Sequence, residues 1–305
     1  MRTLLTTVLV LAGMPAFADS TVDPAQPYAY AANAAWINAY ADGTNGAVIG
    51  QSFCAGLLYA ANLGWITLGD GTPANGYAYG NTDGADAGVN HDGAGRLRGL
   101  AWSANAGWIA FEETGDPRVD LATGALSGYA WGANLGWISL VGVRTQVLRA
   151  GADSDGDGIP DPWELRETGG LTALEGGPHD ADGDGVCDAA EYGADTDPLD
   201  GQSLLAFTAV SRFSTTNRLT WTVAQTRFYE LWRSPTLATN AWSPTDLGVM
   251  APGADATMTR DVDTSPPDGP PPAAQFPFLV FKPKDIKITR LYSTTAPAIK
   301  TIVIW

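Results

Sequence analysis

The chain has 305 residues, 33 acidic side chains against 17 basic ones, and a formal net charge of −16. That excess of carboxylate argues against a nucleic-acid backbone or an anionic membrane face as partner. Its length provides for two or three modest domains rather than one large one, and its two histidines and two cysteines offer too little for a zinc centre.

Met1-Arg2 forms a short basic start, Leu4 to Leu11 an apolar run, and Ala16-Phe17-Ala18 a small-x-small cleavage site. Residues 1–18 are therefore expected to be a signal peptide, with a mature chain starting at Asp19 and a secreted, extracellular or cell-surface location. The apolar run is too short to span a bilayer, and no later stretch is long and apolar enough to do so. Cys54 and Cys187 fall in different regions, so a disulfide between them is the less favoured arrangement even in an oxidising compartment.

Residues 28–141 contain an internal repeat. The clearest copies are Leu100-Ala101-Trp102-Ser103-Ala104-Asn105-Ala106-Gly107-Trp108-Ile109 and Tyr129-Ala130-Trp131-Gly132-Ala133-Asn134-Leu135-Gly136-Trp137-Ile138. A third runs through Asn62-Leu63-Gly64-Trp65-Ile66 and reads as one residue shorter at the start of its turn or shifted in register, and a worn fourth runs through Asn33-Ala34-Ala35-Trp36-Ile37. Each copy reads as a β-hairpin: an aromatic strand, a tight turn in which Asn and Gly tolerate left-handed torsions, then a Trp-Ile strand. A further short strand before some copies makes the unit three-stranded. Packing of the recurrent tryptophans into a shared core is the preferred reading, with Trp102 and Trp131 the better candidates for an exposed, sugar-stacking face. The pattern is similar to Gly-Trp-Ile repeats of secreted and surface bacterial proteins.

Two acidic segments follow. Asp153-Ser154-Asp155-Gly156-Asp157-Gly158-Ile159-Pro160-Asp161-Pro162-Trp163-Glu164 and Asp180-Ala181-Asp182-Gly183-Asp184-Gly185-Val186-Cys187-Asp188-Ala189-Ala190-Glu191 both fit a twelve-position calcium loop. A hard cation takes six to eight oxygens. Asp153, Asp155 and Asp157, and likewise Asp180, Asp182 and Asp184, supply carboxylates at positions 1, 3 and 5. Ile159 and Val186 supply carbonyls at position 7, Asp161 and Asp188 act at position 9 through water, and Glu164 and Glu191 close the shell. Pro162 near the start and Gly169-Gly170 after the end mark an exit helix behind the first loop. No entering helix precedes Asp153, because Arg149-Ala150-Gly151-Ala152 is short and broken by glycine. Loop-then-helix units of this kind resemble the thrombospondin type 3-like, EF-hand-like and dockerin-like calcium repeats of secreted bacterial proteins.

From Ser203 the composition turns to β-branched and aromatic alternation. Strands are expected over residues 204–210, 218–223, 227–233, 256–262 and 276–281, with a looser stretch around Trp242 and a proline-rich loop over 266–272. The segment looks like a small fibronectin type III-like β-sandwich. All four lysines, Lys282, Lys284, Lys287 and Lys300, lie after the proline loop, which suggests a tail of separate coding origin.

The expected fold class is mainly β: an N-terminal tandem β-hairpin repeat domain (19–148), a central calcium-binding loop-helix segment (149–201), a C-terminal β-sandwich (202–281) and an atypical tail (282–305). No catalytic residues and no organic cofactor are assigned. His91 and His179 have no nucleophile in a recognisable elbow, and Glu112, Glu113 and Glu230 read as solvated carboxylates at strand ends. The leading expectation is a non-enzymatic, exported structural or adhesive protein whose Ca²⁺ stiffens the joint between β-domains. The alternative is a carbohydrate-binding accessory protein, with extracellular polysaccharide or surface proteins as partners.

Overall fold

A computed structural model describes residues 19–213, 216–234, 243–263 and 278–284. The expected signal peptide, the proline-rich loop and the tail beyond residue 284 lie outside these residues. The chain is mainly β, with two short helices among the described residues.

The first repeat forms β1 (Val22–Ala31) and β2 (Ala35–Asn38), and the connection after it a short ladder of β3 (Val48–Ile49) with β4 (Cys54–Ala55). The second forms β5 (Leu57–Ala60) and β6 (Gly64–Thr67), followed by β7 (Val89–His91). The third forms β8 (Leu97–Ser103) and β9 (Gly107–Phe111), then β10 (Arg118–Val119) with β11 (Leu126–Ser127). The fourth forms β12 (Tyr129–Gly132) and β13 (Gly136–Ser139), and β14 (Val143–Thr145) returns to pair with β1. The hairpins pair side by side in the order β13-β12-β9-β8-β6-β5-β2-β1, and β13 pairs back onto β1. Eight antiparallel strands therefore close into a barrel with no free edge along its wall.

This closure overturns the expected tryptophan core. Ile37, Ile66, Ile109 and Ile138 are at most 4% exposed, whereas the Trp36, Trp65, Trp108 and Trp137 beside them are 42–61% exposed. Neighbours on a strand point to opposite faces, and the interior of an eight-stranded barrel admits alanine and isoleucine but not a ring of indoles. The tryptophans stabilise the hairpins from outside instead. Tyr30 with Trp36, Tyr59 with Trp65, Trp102 with Trp108, and Trp131 with Trp137 are directly opposed pairs with ring centroids 4.7–5.1 Å apart, tilted by 59–66°. Tilted aromatic pairs of this kind add about 0.5–1.5 kcal/mol each beyond area burial.

The turns are alike in all copies. Ala31 opposes Ala35, Ala60 opposes Gly64, Ser103 opposes Gly107, and Gly132 opposes Gly136. The third copy in the sequence comparison therefore lacks no residue. The left-handed position belongs to the glycine, not to the asparagine: Gly64, Gly107 and Gly136 have φ of 84°, 80° and 72°. Asparagine acts between copies. Asn105 Nδ2 donates to the Leu63 carbonyl and Asn134 Nδ2 to the Ala106 carbonyl, joining successive turns around one barrel mouth. In the worn copy Ala35 occupies the left-handed site at φ 60°. Relief of its Cβ strain, less the entropy of an added glycine, predicts that Ala35→Gly stabilises the barrel by roughly 0.5–1 kcal/mol, read as a raised thermal midpoint.

At the opposite mouth the connections form a lid whose Val22, Ile49, Cys54, Leu68, Val89, Leu97, Val119, Leu126, Val143 and Leu148 extend the barrel core. Cys54 is buried in this core, and both it and Cys187 are free.

After the barrel, α1 (Asp161–Thr168) begins with proline in its first turn and ends on Gly169 at φ 73°, as the composition predicts. A second helix, α2 (Asp188–Ala194), follows the second acidic loop and ends on Asp195 at φ 55°. Six further strands form two three-stranded antiparallel sheets. One comprises β15 (Phe207–Arg212), β16 (Thr216–Thr222) and β19 (Thr257–Asp263); the other comprises β17 (Phe228–Ser234), β18 (Ser243–Met250) and β20 (Phe278–Lys284). Leu219, Trp221, Met258 and Val262 of one sheet and Tyr229, Leu231 and Met250 of the other belong to a single core. Strand β18 falls where the sequence suggests only a loose stretch. Pro244 and Gly248 weaken its β signature, yet β18 is an edge strand, where a missing N–H is tolerated. Strand β20 crosses the expected boundary at residue 281.

Candidate metal centres beside the barrel

The two acidic loops fold on the same hydrogen-bond template. Asp153 Oδ1 accepts from the Gly156 N–H at 2.8 Å and its Oδ2 from the Gly158 N–H at 3.1 Å; Asp180 accepts from Gly183 and Gly185 at 2.8 Å each. Ile159 N–H donates to Asp157 Oδ1 at 2.7 Å and Val186 N–H to Asp184 Oδ1 at 2.6 Å. Gly158 and Gly185 turn the chain at φ 97° and 98°, where a Cβ would be strained. The template gathers Asp153, Asp155 and Asp157 so that one carboxylate oxygen of each lies within 4.8 Å of the others, and does the same for Asp180, Asp182 and Asp184.

The closing glutamates decide what these clusters can do. Glu164 on α1 and Glu191 on α2 are fully buried. Neither oxygen of Glu164 has a hydrogen-bond donor among the described residues, nor does Glu191 Oε2; its Oε1 accepts from Thr196 Oγ1 at 3.2 Å. The buried Asp182 Oδ2 and Asp184 Oδ2 are also without donors. A buried carboxylate without donors is costly. Burial first, and then repulsion from Asp155, Asp157, Asp161 and Asp153, pushes the Glu164 carboxyl up to about 7. Burial, together with the charges of Asp182, Asp184 and Asp188, pushes Glu191 up to about 8. The chain supplies donors to a partly buried carboxylate elsewhere: Asp195 takes Trp163 Nε1, the guanidinium of Arg166 and the Thr226 hydroxyl. Acceptors without donors, closing an oxygen-only set, suit a hard cation.

The remaining predicted positions differ in role. Asp161 accepts from both the N–H and hydroxyl of Ser154, at 2.7 and 2.5 Å. Asp188 accepts from Ala181 N–H, Glu175 N–H and His179 Nδ1 at 2.9, 3.0 and 2.6 Å. Both position-9 carboxylates therefore brace the loop backbone and stand outside the three-aspartate clusters. Ile159 is fully buried with Trp163 and Leu174 in a small core that holds the two loops together. Gly176 N–H crosses from the second unit to Asp157 Oδ2 of the first at 2.6 Å.

Sequence reasoning missed the junction behind the loops. Arg227, buried, donates through Nε to the Gly193 carbonyl at 2.9 Å and through an Nη to the Tyr192 carbonyl at 2.7 Å, capping α2 from the first sheet crossover. Tyr192 Oη reaches Gln51 Oε1 of the barrel lid at 3.3 Å. One helix end thus touches barrel and sheets together. No local residue pattern marks this junction, because Arg227 caps a helix end more than thirty residues away in the chain. Arg227→Ala is expected to cost about 2–3 kcal/mol, because it leaves the Gly193 and Tyr192 carbonyls without their cationic donor and removes one of the two arginines beside Asp195, and to speed protease cleavage after residue 195.

His91 is buried, with Nδ1 donating to the Gly50 carbonyl at 2.8 Å and Nε2 accepting from Gly95 N–H at 3.1 Å; burial lowers its pKa. No helix among the described residues is long and apolar enough to cross a membrane. Comparison with protein-family models, curated proteins and solved structures finds no match.

Proposed function

We propose that this chain is an exported, non-catalytic structural or adhesive protein in which two Ca²⁺ ions lock the segment between the barrel and a C-terminal β-sandwich. The observation that carries this reading is the pair of buried glutamates without full donor sets, each under repulsion from the aspartates of the cluster in its own loop. Asp153, Asp155, Asp157 and Glu164 would hold one ion and Asp180, Asp182, Asp184 and Glu191 the other, with Ile159 and Val186 contributing backbone carbonyls and Asp161 and Asp188 bracing the loops. Bound Ca²⁺ supplies the positive charge that offsets carboxylate repulsion within each loop. The loop helices then hold Asp195 and the α2 carbonyls in place for Arg227 and Thr226, so the joint between the β units depends on metal. Such a role fits a compartment in which calcium is plentiful, as the expected signal peptide implies, and the loop pattern resembles thrombospondin type 3-like repeats.

The test is calorimetry of the chelator-treated full chain with CaCl₂ and MgCl₂. The expected result is two Ca²⁺ per chain, Mg²⁺ binding more weakly because the loops present a flexible, oxygen-rich shell rather than a tight octahedron. Absence of Ca²⁺ uptake at millimolar concentration would refute the assignment.

A further inference from the structure

The barrel wall carries a surface that the metal reading leaves unused. Residues directly opposed across an antiparallel ladder share a face. At the seam between the first and second hairpins, Asn38 lies between Tyr28 on one side and Tyr59 on the other. At the seam between the fourth and first hairpins, Ser139 lies between Tyr129 and Tyr30 in the same way. The four tyrosines are 41–49% exposed, and Trp36, on the hairpin between the two seams, is 61% exposed. Strands two apart in a sheet lie roughly 9.5 Å from each other, so at these two seams tyrosines flank a smaller residue across a spacing that would admit one six-membered sugar ring. Asn38 is held fixed: its Oδ1 accepts from the N–H groups of Tyr40 and Ala41 at 3.0 and 3.2 Å. At the other two seams Leu57 and Leu100 replace a tyrosine, so aromatic residues on both sides occur only around the first hairpin.

The absence of charge here selects the occupant. In a chain of net charge −16, the wall strands β2, β5, β6, β12 and β13 carry no acidic or basic residue, and the one charge on β1, Asp23, lies in the part that pairs with β14 rather than beside Tyr28 and Tyr30. An ionic ligand would find no countercharge on this face. Four-residue strands are too short to span a bilayer. Hexopyranose rings, by contrast, combine apolar C–H faces for stacking with hydroxyls for Ser139 and solvent. We propose that the face centred on the first hairpin, from the Tyr129–Ser139–Tyr30 seam across Trp36 to the Tyr28–Asn38–Tyr59 seam, binds a neutral linear hexopyranose chain, independently of the metal centres.

The experiment titrates the full chain with cellohexaose, laminarihexaose and, as an anionic control, an oligogalacturonate, reading tryptophan fluorescence and calorimetric heat. Saturable binding of a neutral hexasaccharide is expected, weakened roughly tenfold by Tyr59→Ala, Tyr129→Ala or Trp36→Ala and unchanged by Trp108→Ala on a leucine-lined seam. Where an alanine variant fails to fold, the leucine variant keeps apolar bulk, loses the ring, and gives the same reading. The proposal is overturned by a folded barrel that leaves both neutral hexasaccharides unbound at millimolar concentration. Equal affinity in all variants, occupation of the face by a second copy in sedimentation, or binding to zwitterionic phospholipid vesicles in place of sugar would overturn it too.

Discussion

Glu164→Gln and Glu191→Gln are each expected to abolish tight Ca²⁺ binding at their own loop and to weaken the other, while leaving the barrel folded. Glutamine keeps the volume but removes the charge that closes an otherwise anionic set of three aspartates. The loss should reach tenfold to a hundredfold or more at the altered site, roughly 1.4–2.8 kcal/mol. Coupling follows from the shared Ile159–Trp163–Leu174 core and from the Gly176 N–H that donates to Asp157 across the two units. Calorimetry of each variant checks both parts, and unchanged affinity in both would remove the loops from the metal assignment.

The same glutamates impose a pH signature. Without metal, their folded pKa values are pushed up to about 7 and about 8, above the ordinary 4.5. In that range the folded form holds more protons than the unfolded one, so stability of the metal-free segment falls as pH rises from about 4.5 to about 8. Ca²⁺ requires both carboxylates ionised, so binding should release protons near pH 7 and strengthen as pH rises. Calorimetric heats that vary with the buffer's ionisation enthalpy would report that release; heats independent of buffer would contradict it.

Gly128→Ala should destabilise the barrel far more than Gly136→Ala, although both glycines are left-handed, with φ of 76° and 72°. At Gly136 an added Cβ meets nothing closer than a Trp131 ring atom at 4.0 Å, so the cost is the torsional strain alone, about 1–2 kcal/mol. At Gly128 it would run into the Asp116 and Gly115 carbonyls of the adjoining connection. Backbone cannot yield there without breaking the Leu140 N–H bond to Gly128, and the expected cost is about 4 kcal/mol or more. Gly56 and Gly99 occupy matching positions, each facing a carbonyl of its own connection, and should behave as Gly128 does. Chemical denaturation of the variants measures the contrast; equal losses would mean that the close carbonyl contact has no energetic role.

Much of this was legible in the residues because local rules carried it. Position-specific glycines and aspartates announced both loops, and hairpin chemistry announced each repeat. Strand alternation already placed Trp108 and Ile109 on opposite faces, but which face was inside depended on closure: pairing of β13 with β1 requires partners more than a hundred residues apart, which no local pattern records. The same is true of the brace role of Asp161 and Asp188. Their spacing fits a ligand, whereas their partners, Ser154, Ala181, Glu175 and His179, emerge only when the loop is closed. Arg227 was invisible for a further reason: it acts on a helix end thirty-odd residues upstream.

Strand β14 lies antiparallel to β1, so the chain enters and leaves the barrel at the same corner, where Thr145 Oγ1 holds Thr21 and Arg149 reaches the Asp19 carbonyl. Mechanical tension between residues 19 and 149 would therefore peel this corner apart one pair at a time rather than shear a whole ladder at once. A protein stretched between two attachment points would lose its barrel seam at low load and pay out slack from that end first, with the four hairpins themselves spared until the seam has opened.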